Sequence, residues 1–521
     1  MSHEEYINKV KKMIDDLKAM SASLGLANTG DEYKIIAELF TYKFLNDKLL
    51  YVFEKREDKQ ETFEDFVDFA PANIAKMKQE HLVDNLYQQQ NKDNFNQILD
   101  RAFIEVNEMN KDIYSIETVS GQKKNLFEPL STYIRDANKE LALAKRAINI
   151  MAEHKFTNIY EDGFDYFSSV FEYLIKDYNK DSGKYAEYFT PSSVANIIAE
   201  VLYDDTPVRN VSVYDPAAGS GTLLLSMANK IGVSNCTIFS QDISQKSTQF
   251  LRINLILNKL VHSLSNVVEG DTLLKPDHSD SNDPDKLKKF DFIVSNPPFK
   301  TDFSGSVEDL KNDKYDRFFA GIPNIPNKKK DSMAIYEVFA QHILSSLNDK
   351  GKAAIVVPTG FVSASLGISK KIKEKLIKKN WLLGVIHMPS QIFANTGTSV
   401  SIIFIDKDKD NDKVMLIDGS NYGEKVKLDE GQRTILNEKE RSSLVDTFKN
   451  REVVSSFSAY VSNQVIEENG LSISAGRYIE LEEEVFDADI EEKIDKVKDK
   501  ITSLLLDSEE IDEKLKKILE V

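Results

Sequence analysis

Apolar positions change their period along this chain, and each period predicts a different architecture. Up to about residue 160 they recur at three- and four-residue intervals, as in Ile7, Val10, Ile14 and Leu17 and again in Ile36, Leu39, Phe40 and Phe44, with few Gly or Pro between. That spacing lines one face of an α-helix, so residues 1–160 are expected to form an all-helical N-terminal domain. Short β-branched runs then appear at 211–214, 237–239, 290–294, 353–357, 383–386 and 400–405, separated by turn residues and helical stretches. Strands alternating with helices pack as a mostly parallel sheet covered on both faces, which makes 161–410 an α/β domain. Residues 411–480 lack a dominant period and are expected to be a small mixed region. From 481 to 521, Ile490, Ile494, Val497, Ile501, Leu504, Ile511, Leu515 and Ile518 alternate by four and three, with Ser508 in one seam position. This predicts a coiled-coil-like helix that seeks a partner helix.

Composition narrows the function classes. The 521 residues are enough for three or four units of about 150 residues, and 41% apolar content argues against disorder. The formal charge is −18, and the tail from 481 onward, with fifteen acidic and seven basic residues, holds −8 of it. So negative a chain repels a polyanion over most of its surface, and a nucleic-acid role needs a local basic patch or a basic partner subunit. The lone Cys236 can form neither an intrachain disulfide nor a multi-cysteine metal site, and it suits a reducing compartment. No apolar run approaches the roughly 18 residues that span a bilayer. The first ten residues carry two Glu and no apolar core of a secretory signal, so the expectation is a cytoplasmic protein with no membrane association.

The strongest chemical signal is Asn296-Pro297-Pro298-Phe299, directly after the apolar run 290–295. Such a string arises by chance in roughly one chain of this length in a hundred or fewer. Two prolines after a strand end stiffen the turn, so the Asn amide and the Pro297 carbonyl project from the carboxyl edge of the sheet. They offer two acceptors to one NH2 group. An aromatic amine is a weak nucleophile because its lone pair is delocalised into the ring. Acceptors on both hydrogens favour a more tetrahedral nitrogen with its lone pair aimed at an electrophile, while Phe299 supplies a stacking face for a planar base.

A second signal is Asp215-Pro216-Ala217-Ala218-Gly219-Ser220-Gly221-Thr222, between a strand and a helix that begins near Leu223. Small residues there let a ligand approach the backbone. No Walker lysine follows, so ATP hydrolysis is not supported. Asp242, closing the next strand, sits where ribose hydroxyls are usually accepted. Asp271 of Gly270-Asp271-Thr272-Leu273 is placed to accept from an adenine amine. Upstream, Glu187-Tyr188-Phe189-Thr190-Pro191 precedes a helix, with Thr190 the expected N-cap and Pro191 at the first helical position. A helix N-terminus of that kind suits a carboxylate ligand. Together these features describe a site for S-adenosylmethionine beside an amine to be methylated.

In order along the chain, Phe189-Thr190-Pro191, Asp215 to Thr222, Gln241-Asp242-Ile243, Gly270 to Leu273 and Asn296 to Phe299 resemble the methyltransferase (M) subunit of type I restriction-modification systems. Asp331-Ser332-Met333-Ala334 through Gln341-His342, Gly351 to Ala354, Val357 to Gly360 and Phe393 to Thr398 resemble that family's later blocks, so the likeness covers nearly the whole chain. One departure is Ala218, where a bulkier residue or Cys is frequent. The resemblance implies a Rossmann-like methyltransferase core, a helical N-terminal domain and a C-terminal partner-binding helix. It implies an adenine-specific DNA methyltransferase using S-adenosylmethionine, acting on N6 of a flipped adenine in double-stranded DNA, with no metal. The implied partners are a specificity (S) subunit, with two M per S, and a restriction (R) subunit in the full complex. By position the resemblance gives the amine and base to Asn296, Pro297, Pro298 and Phe299. It gives the cofactor to Tyr188, Phe189, Thr190, Asp215, Pro216, Ala217, Gly219, Ser220, Gly221, Thr222, Asp242, Ile243, Asp271 and Thr272.

An acidic subunit acts on DNA if its partner supplies sequence reading and much of the backbone grip. Lys328-Lys329-Lys330 and the run Lys370 to Lys379 are local candidates for DNA contact. Two other readings stay open. One is methylation of a different amine: glutamine and RNA guanine-N2 enzymes carry the same turn, usually with Tyr, and cytosine-N4 enzymes more often begin it with Ser. The other is a non-catalytic assembly subunit of the same fold. Asn296 with Phe299 favours adenine, and the intact loop glycines favour an active enzyme.

Overall fold

A computed structural model of the chain describes residues 3–27, 29, 31–71, 73–114, 116–117, 123–134, 136–156, 190–280, 282–393, 399–428, 431–480 and 494–504. The N-terminal part contains helices α1 (His3–Ser23), α2 (Glu32–Lys55), α3 (Phe95–Met109) and α4 (Ala137–Glu153). Val10, Ile14 and Leu17 of α1 and Ile36, Leu39, Phe40 and Phe44 of α2 are all buried, as the helical spacing of apolar residues requires. Asp136 caps α4 by accepting from the Asn138 and Lys139 N–H groups, satisfying donors that have no partner within the helix.

Beyond residue 190 the order is α5 (Ser192–Leu202), β1 (Val211–Asp215), α6 (Thr222–Ile231), β2 (Cys236–Asp242), α7 (Gln245–Leu257), β3 (Val267–Glu269) and β4 (Phe290–Ser295). Then come α8 (Tyr336–Ser346), β5 (Leu347–Pro358), α9 (Gly367–Lys378), β6 (Leu382–His387), β7 (Val400–Asp406), β8 (Lys413–Asp418), α10 (Glu438–Asn450) and β9 (Ser458–Ser462). The strands form one sheet in the order β3-β2-β1-β4-β5-β7-β6-β8-β9. The first five are mutually parallel, and β7 runs antiparallel between β5 and β6. The fold is α/β as expected, and every predicted strand lies within an observed one.

Along β7, Ile402 and Phe404 face one buried cluster while Ile403 and Ile405 face another, so both faces of the sheet are covered. This is why its strands read as continuous apolar runs rather than as alternation. Residues 411–480, expected as a small mixed region, contribute β8, parallel to β6, and β9, antiparallel to β8, to the same sheet. Val414 to Ile417 form a four-residue apolar run between charged turns, too short for its period to announce a strand.

The helical region docks on α7. Arg252 of α7 is buried and donates to the carbonyls of Tyr114 and Asn125, and Phe250 meets Tyr33 at 5.6 Å between ring centroids. Near this seam Glu38 of α2 is buried. Its carboxyl accepts from Tyr133 Oη at 2.8 Å and from the Glu128 N–H at 2.9 Å. Burial pushes the Glu38 carboxyl up to about 8, against the pull of those two donors. A raised folded-state value means the contribution to stability is complete below the ordinary carboxylate range and is lost as pH climbs through about 8. Glu38→Gln stays neutral, so the melting temperature of the variant is expected to fall less than that of wild type between about pH 5 and about pH 9. Parallel pH profiles in calorimetry would remove this role for Glu38.

Candidate active site

Parallel strands that leave their carboxyl ends on one edge of a sheet gather the residues following them. Here β1 ends in Asp215 and its neighbour β4 ends in Ser295, one residue before Asn296. Ser295 Oγ donates to Asp215 Oδ1 at 2.8 Å, and the Ala217 N–H donates to the same oxygen at 2.9 Å. Asp215 is fully buried. Burial pushes its carboxyl up to about 7; the Ala217 and Ser295 donors pull it down and the Asp242 carboxylate pushes it up.

The loop after β1 is shaped from three directions. Gly219 has φ 53° and Gly221 φ 87°, the left-handed region that Gly enters without penalty. The Gly219 N–H donates to Asp242 Oδ2 at 2.8 Å, so the carboxylate at the end of β2 holds the loop. The other Asp242 oxygen accepts from the Ser244 N–H, and burial raises this carboxyl too. Asn254 of α7 donates to the Ser220 carbonyl at 2.8 Å. Thr272 Oγ1 donates to the Pro216 carbonyl at 2.7 Å, making Thr272 a brace beneath the loop.

Asn296 is buried, and its Nδ2 donates to Thr190 Oγ1 at 3.2 Å. Among the described residues its Oδ1 accepts no hydrogen bond, which leaves that oxygen to the cleft. Thr190 departs from its expected role. The helix begins at Ser192 with Pro191 at the cap position, where the side chain has no acceptor to offer; the Thr190 hydroxyl, one residue earlier, is engaged by Asn296. Tyr188 and Phe189 lie outside the described residues. Thr190, Asp215, Ala217, Ser220, Thr222 and Asn296, with Ala218 and Leu223, line one cleft of about 240 Å3, open solvent included.

The remaining candidates surround this cleft without lining it. Ile243 is 73% exposed at the end of β2, and Asp271 Oδ1 accepts from the Leu273 and Leu274 N–H groups. Pro297 is buried and Pro298 half-buried. Phe299 packs against the larger core and meets Tyr336 edge-on at 6.5 Å. Lys328, Lys329 and Lys330 are exposed. The 370–379 run is not one free basic face: Lys373 is buried with its Nζ on the Val362 and Ala364 carbonyls, and Lys378 pairs with Glu374.

Sequence reasoning missed Ser295, and also Tyr214 and Arg317, which meet through His342 behind the loop. Ser295 was findable as the polar residue ending an apolar strand just before Asn296. Arg317 had no signal, being one basic residue in a mixed-charge stretch. A Cβ added to Gly221 would lie 2.2 Å from Leu251 Cδ1. Gly221→Ala is therefore expected to lower stability by about 1–3 kcal/mol, and adding Leu251→Ala relieves the clash but not the left-handed strain. Chemical denaturation checks this, and an unchanged midpoint in Gly221→Ala would contradict it.

Comparisons with known proteins bear on the family and the fold. The chain is 29% identical over 362 residues to the type I restriction enzyme MpnII methylase subunit of Mycoplasma pneumoniae, covering 66% of this chain and 64% of that protein. It is 26% identical over 376 residues to the MjaIX methylase subunit of Methanocaldococcus jannaschii, covering 68% and 63%. The matches thus span slightly under two thirds of each relative. Its fold is like that of the crystal structure of the type I restriction-modification methyltransferase subunit from Streptococcus thermophilus, with TM-score 0.71 and 20% identity over 92% of this chain and 100% of that one. Residues 162–487 match the model of the N-6 DNA Methylase family, and the chain belongs to that family.

Proposed function

We propose that this chain is the modification subunit of a type I restriction-modification complex, an adenine-specific DNA methyltransferase that transfers a methyl group from S-adenosylmethionine to N6 of a flipped adenine. The observation that carries the reading is the cleft itself: the loop with left-handed glycines and the amide of Asn296 share one wall-to-wall space at the carboxyl edge of β1 and β4. The residues present fit the cofactor. The loop presents the small residues Ala217, Ala218 and Ser220 to the cleft, the Asp215 and Asp242 carboxylates complement a cationic amine and ribose hydroxyls, and Asp271 borders the same edge. When bound, S-adenosylmethionine supplies an electrophilic methyl group.

The chain's own residues then act on the nucleophile. Thr190 holds the NH2 end of Asn296, so its Oδ1 faces the incoming amine. Oδ1 and the Pro297 carbonyl accept the two N6 hydrogens and localise the lone pair toward the methyl donor. Phe299 offers a face to the base, which the enzyme reaches by taking it out of the stack. An acceptor already held in place at Asn296 Oδ1 costs little reorganisation during transfer, which is where its rate advantage arises.

The proposed partners are double-stranded DNA, a specificity subunit bound by two copies of this chain, and a restriction subunit in the full assembly. The type I names of the two relatives support this. So does the tail: in the described part, Ile494, Val497, Ile501 and Leu504 are all exposed at seam spacing. The rest of that seam lies outside the described residues.

The deciding experiment is transfer from labelled S-adenosylmethionine to DNA by this protein alone and with the specificity subunit, followed by base analysis. Labelled N6-methyladenine is expected with the partner present. Cofactor binding without transfer to DNA in either case would replace DNA by an RNA or protein amine. Asn296→Ala is expected to leave cofactor affinity nearly unchanged and slow transfer by about a hundredfold or more; equal rates would exclude its role. Val497→Glu combined with Ile501→Glu is expected to abolish co-purification with the specificity subunit and spare cofactor binding, whereas a variant that still assembles would exclude the seam.

A further inference from the structure

Arg317 is among the largest fully buried side chains, and all five of its N–H groups have acceptors. Its Nε and Nη2 reach the Asp313 carboxylate, the latter at 2.7 Å. Its Nη1 donates to the Thr272 carbonyl at 3.1 Å and Nη2 to the Leu273 carbonyl. Nη1 also lies 3.1 Å from His342 Nδ1, so that ring nitrogen is the acceptor. The proton then sits on Nε2, which donates to Tyr214 Oη at 3.1 Å. Burial and the Arg317 charge hold the His342 ring well below its ordinary value, in keeping with a neutral imidazole.

The network reaches the candidate cofactor loop by two separate routes. One runs from Arg317 through Thr272, whose hydroxyl grips the Pro216 carbonyl. The other runs through His342 to Tyr214, the residue before Asp215. Arg317 itself belongs to the connection that follows the catalytic turn, and that connection packs on Ala217 and Leu273 through Phe303, Met333, Val338 and Phe339. We propose that Arg317 is a positioning residue that holds the cofactor loop and the segment following the catalytic turn in a single register, through Thr272 on one side and His342 and Tyr214 on the other. The proposal rests on the methyltransferase reading of the cleft.

The test is a double-mutant cycle on cofactor affinity, measured by calorimetry with S-adenosylhomocysteine on the full chain, alongside melting temperature and single-turnover transfer. Thr272 and Tyr214 share no hydrogen bond among the described residues; they are joined through Arg317 and His342 and also through the loop backbone at Asp215 and Pro216. The coupling therefore belongs to the Arg317 route only if it vanishes when the cycle is repeated in the Arg317→Lys background. Thr272→Val and Tyr214→Phe are each expected to weaken binding about three- to tenfold, and the double variant to lose clearly less than the product of the two. Arg317→Lys keeps the charge but not the planar fork. It is expected to weaken binding about tenfold while the transfer rate at saturating cofactor changes less than about threefold, and Thr272→Ser is expected to restore what Thr272→Val lost. If Arg317→Lys fails to fold, His342→Gln, which breaks the same route at its next member, serves as the background in which the coupling must vanish. Folded variants with unchanged affinity, or effects of Thr272→Val and Tyr214→Phe that simply multiply, would overturn the role of Arg317. Wild-type chain without affinity for the nucleoside would instead overturn the cofactor reading of the cleft.

Discussion

The hydrogen bond from Ser295 Oγ to Asp215 Oδ1, 2.8 Å long and fully buried, joins the two strand ends on which the site is built. It exists because β1 and β4, 75 positions apart from Asp215 to Phe290, lie side by side and parallel in the sheet. A carboxylate out of water is costly unless donors face it, and Asp215 receives two. The same contact fixes where Asn296 emerges, since it is the next residue. On the proposed reading, a site that presents an amide oxygen to an amine at a set distance from a cofactor depends on that register.

Around this bond the supports are of different physical kinds. Gly221 allows close packing, with Leu251 of α7 where any side chain would clash. Asp242 is an acceptor that ties the loop to the next strand, and Asn254 and Thr272 satisfy loop carbonyls that would otherwise be stranded. Helix α7 therefore has two duties. Leu251 and Asn254 steady the glycine loop, and Arg252 and Phe250 receive the helical N-terminal region.

Acidity and the proposed DNA chemistry are reconciled by distribution. The tail from 481 onward holds −8 of the formal charge of −18, and Lys328 to Lys330 stand exposed on the connection after the Asn296 turn. The run at 370–379 shows how charge in a sequence misleads: Lys373 spends its ammonium on backbone carbonyls inside the protein. A basic residue is a DNA contact only if its partners leave it free.

The sequence alone was enough for the α/β class and the strands flanking the candidate site, and it singled out the Asn296 turn and the glycine loop, because each is local. An apolar run, a proline pair or a left-handed glycine acts within a few residues of itself. Thr190 shows the boundary of such reasoning: its position before a helix predicted a cap, yet its hydroxyl answers to Asn296, 106 residues away. The union of β8 and β9 with the main sheet, the brace from Thr272 and the five-donor node at Arg317 likewise depend on pairings between distant segments. Only the tertiary structure decided these, because a buried donor takes whichever acceptor the packed neighbours bring within about 3 Å, and no local pattern records which neighbour that is.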